Sequence, residues 1–282
     1  MNGKFVEISK SFFVDSEYET DFVRLGLTAI DAVFSFSGRK NLVKNNLAPY
    51  RSRVQFEMGS PLRTVFLKRY DNPPMLNQLG NWLCHRGRES FAFFECEAAG
   101  KLSTAGINTP RVVGWGEKWG YFFEKRSFII IEKIPEAEAI ERKLPDYFRA
   151  PATPENLKLR KDFIARLGSL IGKFHEAGYR HRDLYFSHIF YGAGGRFYLI
   201  DLARCFEPGL LAERFRVKDI AQLYYSAPAK YFSKSDRLRF YFEYAGRKRL
   251  TEKDKMFISR VLGKVRRIRR HDIRSGRAAP AE

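Results

Sequence analysis

His181-Arg182-Asp183-Leu184-Tyr185-Phe186-Ser187-His188, followed by Leu199-Ile200-Asp201, is the stretch on which the fold of this chain turns. Asp183 and Asp201 lie 18 positions apart, each at the end of an apolar segment. Between them, Ile189-Phe190-Tyr191 and Phe197-Tyr198-Leu199-Ile200 flank Gly192-Ala193-Gly194-Gly195. That pattern reads as a tight hairpin, with glycines where a positive φ is needed. Such a hairpin is expected to bring both carboxylates to one edge of a single cleft. Upstream, Leu157 to Ala177 reads as an amphipathic helix with Phe163, Leu167, Leu170, Ile171 and Phe174 inward. Gly178 stops it just before the loop that carries Asp183.

The N-terminal part reads as mostly strands with one important helix. Arg53 to Glu57 alternates, Gly59-Ser60-Pro61 turns, and Thr64 to Tyr70 follows as a second strand rich in β-branched and aromatic residues. Pro73-Pro74 ends it, and a polar stretch through Arg86-Gly87-Arg88 leads to a helix whose Phe91, Phe94, Ala98 and Leu102 share one face. Gly106 and Pro110 close that region. Ser127 to Glu132 is a short buried strand, and the Pro135 after it suits a hinge. Beyond the hairpin, Leu223-Tyr224-Tyr225 and Phe257 to Ile268 have helical spacing.

The chemistry follows from the residue types. An Asp in a loop after a helix can orient a hydroxyl, and a second Asp after a hairpin can hold a magnesium ion that carries phosphates; protein kinases use that arrangement. Taken alone, Asp183 could equally be a turn residue. The offsets go further: His-Arg-Asp-Leu-Tyr-x-x-His with Ile-Asp-Leu-x-Arg after it resembles the lipopolysaccharide kinase family, from about Tyr50 to about Arg274. Asp-x-x-x-x-His is the discriminating detail, since an ordinary protein kinase carries Asn where His188 stands.

The resemblance implies an α+β, protein-kinase-like two-lobed fold: one kinase-like domain over 1–282, with a small β-rich N-lobe (1–130), a hinge (131–136) and a mainly helical C-lobe (137–282). It implies ATP and Mg2+ as cofactors. Asp183 is then the catalytic carboxylate, with Arg182 and His181 organising its loop, and Asp201 chelates the metal. His188 joins Asp201 through an imidazole nitrogen or only ties the loop down. Lys68 grips the α/β-phosphates, paired with Glu95 on the following helix, Glu97 being the fallback. Asp219 resembles the helix-start Asp that braces the catalytic loop. Only 18 positions separate it from Asp201, little room for a peptide-docking platform, so a sugar or small acceptor is expected over a protein.

Two motifs cut the other way. The glycine-rich nucleotide flap is missing: at its place stands Ala48-Pro49-Tyr50-Arg51-Ser52-Arg53, where Arg51 and Arg53 are expected to compensate with charge. Gly168-Ser169-Leu170-Ile171-Gly172-Lys173 mimics a P-loop but is one residue short, lacks Ser/Thr after the Lys and sits in a helical pattern.

Composition bounds the partners. The 282 residues carry a formal net charge of +19 with 44% hydrophobic and 15% aromatic content. That balance provides core material and favours an anionic partner. No apolar run reaches the ~20 residues of a spanning helix, and the N-terminus lacks signal-peptide features. Cys84, Cys96 and Cys205 are scattered and odd in number, as for reduced thiols, and Cys84-His85 with Cys96 fits no common zinc spacing. A C-terminal helix combines Phe257, Val261, Val265 and Ile268 with Lys264, Arg266, Arg267, Arg269 and Arg270. It suits a phosphate-bearing glycolipid or an anionic leaflet, and no nucleic-acid partner is expected.

The expectation is therefore an ATP-dependent kinase acting on a heptose, or Kdo, of the lipopolysaccharide core (the lipid A-linked acceptor), cytoplasmic and peripheral at the inner face of the inner membrane. A kinase for another small molecule or glycan, or a nucleotide- or membrane-binding pseudokinase, is the alternative.

Overall fold

A computed structural model of the chain describes residues 5–38, 40–41, 48–148 and 153–276. They divide into two compact units, residues 1–134 with 201–206, and residues 135–200 with 207–282.

The first unit is built on an antiparallel sheet. In chain order it contains β1 (Phe5–Ser9), β2 (Phe12–Asp15), α1 (Glu19–Arg24), α2 (Ile30–Ser35), β3 (Lys40–Asn41), β4 (Arg51–Met58), β5 (Arg63–Asp71), α3 (Met75–His85), α4 (Phe91–Thr104), β6 (Val112–Trp119) and β7 (Glu124–Glu132). The strand order is β1-β2-β6-β7-β5-β4-β3. Period-two alternation assigns the faces. Val54, Phe56, Val65, Leu67, Phe128 and Ile130 meet Phe22, Leu27, Ile30 and Val33 of the α1–α2 region on one side. Ile129 and Trp115 meet Ala92 and Cys96 of α4 on the other. Among the described residues three helices join the one the sequence singled out, α4: α1 and α2 were too short to show a period, and the polar stretch before Arg86 is the helix α3.

Lys68 sits on the α4 face of the sheet because its neighbours Leu67 and Val65 take the other side. In register it lies between Arg53 of β4 and Ile129 of β7. Tyr70, two positions on, stacks its ring on Phe91 of α4 at 5.2 Å.

The second unit is mainly helical. It contains β8 (Glu138–Ala139), α5 (Ile140–Phe148), α6 (Pro154–Glu176), β9 (Ile189–Tyr191), β10 (Phe197–Leu199), α7 (Ala212–Ser226), α8 (Lys234–Ala245) and α9 (Glu252–Arg274). Local chemistry sets the helix ends. Thr153 caps α6 with Pro154 in its first turn, and Ser233 and Thr251 each form a capping box, with Asp236 and Asp254. Helix α8 stops at Gly246 with φ 62°.

The hairpin forms as expected, with Phe197 opposite Tyr191 and Leu199 opposite Ile189, and with Gly194 and Gly195 at φ 65° and 69°. The P-loop mimic lies inside α6, where its glycines serve packing. A Cβ on Gly168 would lie 2.6 Å from the Phe240 carbonyl oxygen of α8, and one on Gly172 2.8 Å from that of Tyr244.

In α6 Leu170 is only half-buried, one step off the inward face. In α9 Phe257 and Val261 are buried whereas Val265 and Ile268 are half-buried, so the apolar stripe is inward only over the first turns. Among the described residues no helix is long and apolar enough to cross a membrane.

Candidate active site

The residues singled out in the sequence form two groups, one in each unit. In the first, Lys68 is buried and its Nζ donates to Glu95 Oε1, with Asp201 Oδ1 at 3.5 Å. Arg53 Nη2 donates to the same Asp201 oxygen at 3.4 Å. Arg51 Nη2 donates to Tyr70 Oη at 3.1 Å, and Tyr70 Oη donates to Glu95 Oε2 at 3.3 Å. One chain of polar contacts therefore runs from Arg51 through Tyr70, Glu95 and Lys68 to Asp201 and Arg53. Three cations face two carboxylates, which leaves a surplus positive charge suited to phosphate. Of the two candidate glutamates, Glu95 meets the lysine, while Glu97 pairs with Lys101 one helical turn on at 3.1 Å.

Tyr70 was not anticipated; its place two residues after Lys68, on the same face of β5, was the available signal. Burial, and then the Glu95 carboxylate, push its phenol well above the ordinary range, so it stays a neutral donor between Arg51 and Glu95.

Asp201 takes a left-handed backbone, φ 59° and ψ 56°, uncommon outside glycine. Leu202, Ala203, Cys205 and Phe206 behind it are buried in the first unit and hold it there. Leu202 thus anchors Asp201 by burial. The stretch 48–53 is a turn leading into β4, where Arg51 pairs across to Tyr70.

In the second unit the loop 179–188 is laid along one face of α7. Asp219 accepts from the backbone N–H of His181 at 2.7 Å and of Arg182 at 2.8 Å. Gln222 accepts from Leu184 N at 3.3 Å, and Ser226 Oγ from Phe186 N at 3.0 Å. Positions 219, 222 and 226 are i, i+3, i+7 on a helix, so one face meets loop amides at steps along the chain. Asp219 lies inside α7, two turns from its start at Ala212, which corrects the helix-start expectation. Gln222 and Ser226 were missed; their spacing from Asp219 was the signal.

His175 reinforces this brace. Burial lowers its pKa, so the ring is neutral, and its Nε2 donates to Asp219 Oδ2 at 3.3 Å. Its Nδ1 accepts from Tyr244 Oη at 2.9 Å, which in turn accepts from Arg216 Nε at 2.6 Å.

The ring of His181 is fully buried, with Nε2 donating to the Ile200 carbonyl at 3.0 Å, and it stacks on His188 at 5.8 Å. His181 therefore positions the loop. Arg182 adopts φ 68°, and Lys218 donates to its carbonyl. His188 Nδ1 donates to the Asp183 carbonyl at 2.7 Å. Asp183 itself is half-buried in this braced loop.

Cys96 and Cys205 are buried, burial pushes the Cys96 thiol up to about 12, and His85 stacks on Phe94 at 3.9 Å. Among the described residues no cluster of three or more His, Cys, Asp or Glu is arranged to hold a metal.

Comparison with known proteins identifies the family. Residues 62–244 match the model of the lipopolysaccharide kinase (Kdo/WaaP) family. The chain is 29% identical over 203 residues to the lipopolysaccharide core heptose(I) kinase WaaP of Escherichia coli K12, spanning 70% of this chain and 75% of that protein. A second Escherichia coli protein of that name is 28% identical over 234 residues, 79% of this chain and 86% of its own length. The Pseudomonas aeruginosa PAO1 protein of the same name is 29% identical over 153 residues, 52% of this chain and 56% of that protein. A solved structure of WaaP in complex with acyl carrier protein shares the fold at a TM-score of 0.68 and 24% identity, covering 89% of this chain and 97% of that one. With more than half its length inside the family model, the chain belongs to the lipopolysaccharide kinase (Kdo/WaaP) family, ATP-consuming phosphotransferases that act on a sugar hydroxyl of the lipopolysaccharide core.

Proposed function

We propose that this protein phosphorylates a hydroxyl of the first heptose of the lipopolysaccharide inner core, Kdo being the second choice. The observation that carries a phosphoryl-transfer role is the Lys68–Glu95 pair with Asp201 beside the lysine. A buried ammonium held by one carboxylate is pre-set to meet phosphate oxygens without reorganising. Arg53, on the adjacent strand, adds a second cation where the glycine flap is missing. Asp183 is the carboxylate assigned to the acceptor: it orients the sugar hydroxyl and takes its proton as the phosphoryl group arrives. Arg182 and His181 hold the loop in place, together with Asp219.

Magnesium fits the donor set. It binds through one or two carboxylates plus substrate phosphates rather than a complete protein cage. Asp201 supplies such a hard oxygen, partly exposed to solvent. The ion, when bound, neutralises charge on the transferred group. The heptose assignment rests on the names of the relatives. The short 207–211 link before α7 supports an acceptor smaller than a peptide. The net charge of +19 and the arginines of α9 support peripheral association with an anionic inner-membrane surface, from the cytoplasmic side where ATP is found.

Mass spectrometry of lipopolysaccharide from a deletion strain tests the reading. The core should lack one phosphate on heptose, restored by the wild-type gene and not by Asp183→Asn. Purified Asp183→Asn should bind Mg-ATP as wild type does while transfer falls by about 100-fold or more. An unchanged core phosphate pattern in the deletion strain, or near-normal turnover by the variant, would sink the assignment.

A further inference from the structure

Helix α3 carries its polar residues inward and its apolar ones outward. Gln78 is 2% exposed, and its side chain donates to the carbonyls of Pro73 and Glu124 at 2.8 and 3.1 Å and accepts from Glu124 N at 2.9 Å. Asn81 is buried beside it. On the other side Leu76 and Leu83 are 81% and 82% exposed, and Met75 and Leu79 are exposed with them. At 3.6 residues per turn these four positions fall within an arc of about 100°.

The tip of the β6–β7 hairpin extends the surface with Tyr121, 91% exposed, and Phe122. Ring stacking and a hydrogen bond join the two pieces. Trp82 stacks on Phe123 at 5.6 Å and on Trp119 at 6.2 Å. Arg88 donates to the Phe122 carbonyl at 2.8 Å and covers the Trp119 ring at 5.2 Å. An outward stripe of this kind is not a scattered surface residue or two; contiguous apolar patches of this sort mark interaction sites.

We propose that Met75, Leu76, Leu79 and Leu83, with Tyr121 and Phe122, insert into the headgroup–acyl boundary of an anionic lipid leaflet. Charge selects this occupant. Residues 75–88 contain no carboxylate, and Arg86, Arg88 and Lys125 stand exposed at the border of the patch. Aliphatic side chains ringed by cations and tipped with aromatics match the layering of a leaflet: acyl chains, then interface, then anionic headgroups. The inference rests on the reading that the acceptor sugar is presented on a lipid. It adds a contact driven by apolar burial to the salt-sensitive attraction of α9.

The test uses full-length protein and sedimenting vesicles of phosphatidylethanolamine and phosphatidylglycerol at about 0.5 M salt, where the Debye length is about 4 Å and charge alone holds little. Wild type should co-sediment. Leu76→Gln with Leu83→Gln should lower the partition coefficient at least tenfold, because each Leu-sized side chain withdrawn from lipid is worth about tenfold. Tyr121→Ser with Phe122→Ser should lower it as well, and guards against a folding defect in the helix variant. Both variants should keep the wild-type melting temperature and phosphorylate delipidated core oligosaccharide normally, while transfer to lipopolysaccharide embedded in vesicles falls. Failure of wild type to bind vesicles, or equal binding by both variants, would overturn the proposal. So would self-association of wild type that the α3 variant abolishes, which would make the occupant a second copy. If wild type phosphorylates neither acceptor, the functional reading fails, and vesicle binding alone still judges the surface.

Discussion

Asp201 sits at φ 59° and ψ 56° with Lys68 and Arg53 on its carboxylate. A left-handed backbone costs an L-residue about 1 kcal/mol or more, and glycine almost nothing. Two substitutions then separate geometry from chemistry. Asp201→Ala and Asp201→Gly both remove the carboxylate and should both abolish the rise in melting temperature expected of wild type with Mg-ATP. Asp201→Gly should nonetheless be more stable to urea than Asp201→Ala by about 1 kcal/mol. Equal stability would mean that the backbone there is unstrained, and a retained Mg-ATP shift would take Asp201 out of the nucleotide site.

At the scale of elements, α6 against α8 depends on two glycines. Replacing a mid-helix Gly by Ala ordinarily gains up to about 1 kcal/mol. At Gly168 the new methyl would meet the backbone oxygen of Phe240 at 2.6 Å and Glu243 Cβ at 2.9 Å. Backbone cannot move aside without parting the helices, and such overpacking costs about 1–3 kcal/mol. Gly168→Ala should therefore destabilise, by about 1 kcal/mol or more in urea unfolding; stabilisation would show that the helices are not in close contact.

Glu124, at the start of β7, gives a pH test in the first unit. It is buried, and burial raises its pKa from 4.5 to about 7, against the lowering effect of hydrogen bonds from Ser127 and the Phe91 amide. The folded state thus holds a proton that the unfolded chain releases above pH 4.5. The stability this group contributes is complete below about pH 4.5, declines as pH rises towards 7, and is flat above. The total is on the order of 3 kcal/mol. Glu124→Gln, which cannot ionise, should remove that slope. Urea titrations of both proteins at pH 5 and 7.5 check it, and parallel behaviour would sink the claim.

Over the whole molecule the excess of 19 positive charges is uneven in its use. Arg266, Arg267 and Arg270 of α9 are exposed, while Arg269 is half-buried and Asp272 accepts from Tyr225 Oη at 3.0 Å. Each exposed cation near an anionic leaflet contributes on the order of 1 kcal/mol, screened by salt. Replacing Arg266, Arg267, Arg269 and Arg270 with Gln should weaken binding to anionic vesicles at low salt and leave ATP affinity unchanged. Co-sedimentation across a salt series reads this directly; binding indifferent to both the substitutions and the salt would assign the charge to another partner.

The sequence by itself determined what is local in the chain or periodic along it. The 181–201 motif, the glycine hairpin, the α4 and α6 faces and the β4–β5 strands were legible because period, turn chemistry and short offsets are written in adjacent residues. The Lys68–Glu95 pairing was legible only through the resemblance, which put Glu95 first and left Glu97 as the fallback. Tertiary structure decided what depends on distant elements meeting. Tyr70 became the link between Arg51 and Glu95 because α4 packs on its face of the sheet. Gln222 and Ser226 became braces because α7 lies along the 179–188 loop. Helix α3 stayed hidden for the same reason. Its apolar stripe gives no sign of whether it faces core or solvent, and only the partners that Gln78 finds at Pro73 and Glu124 turn the polar side inward.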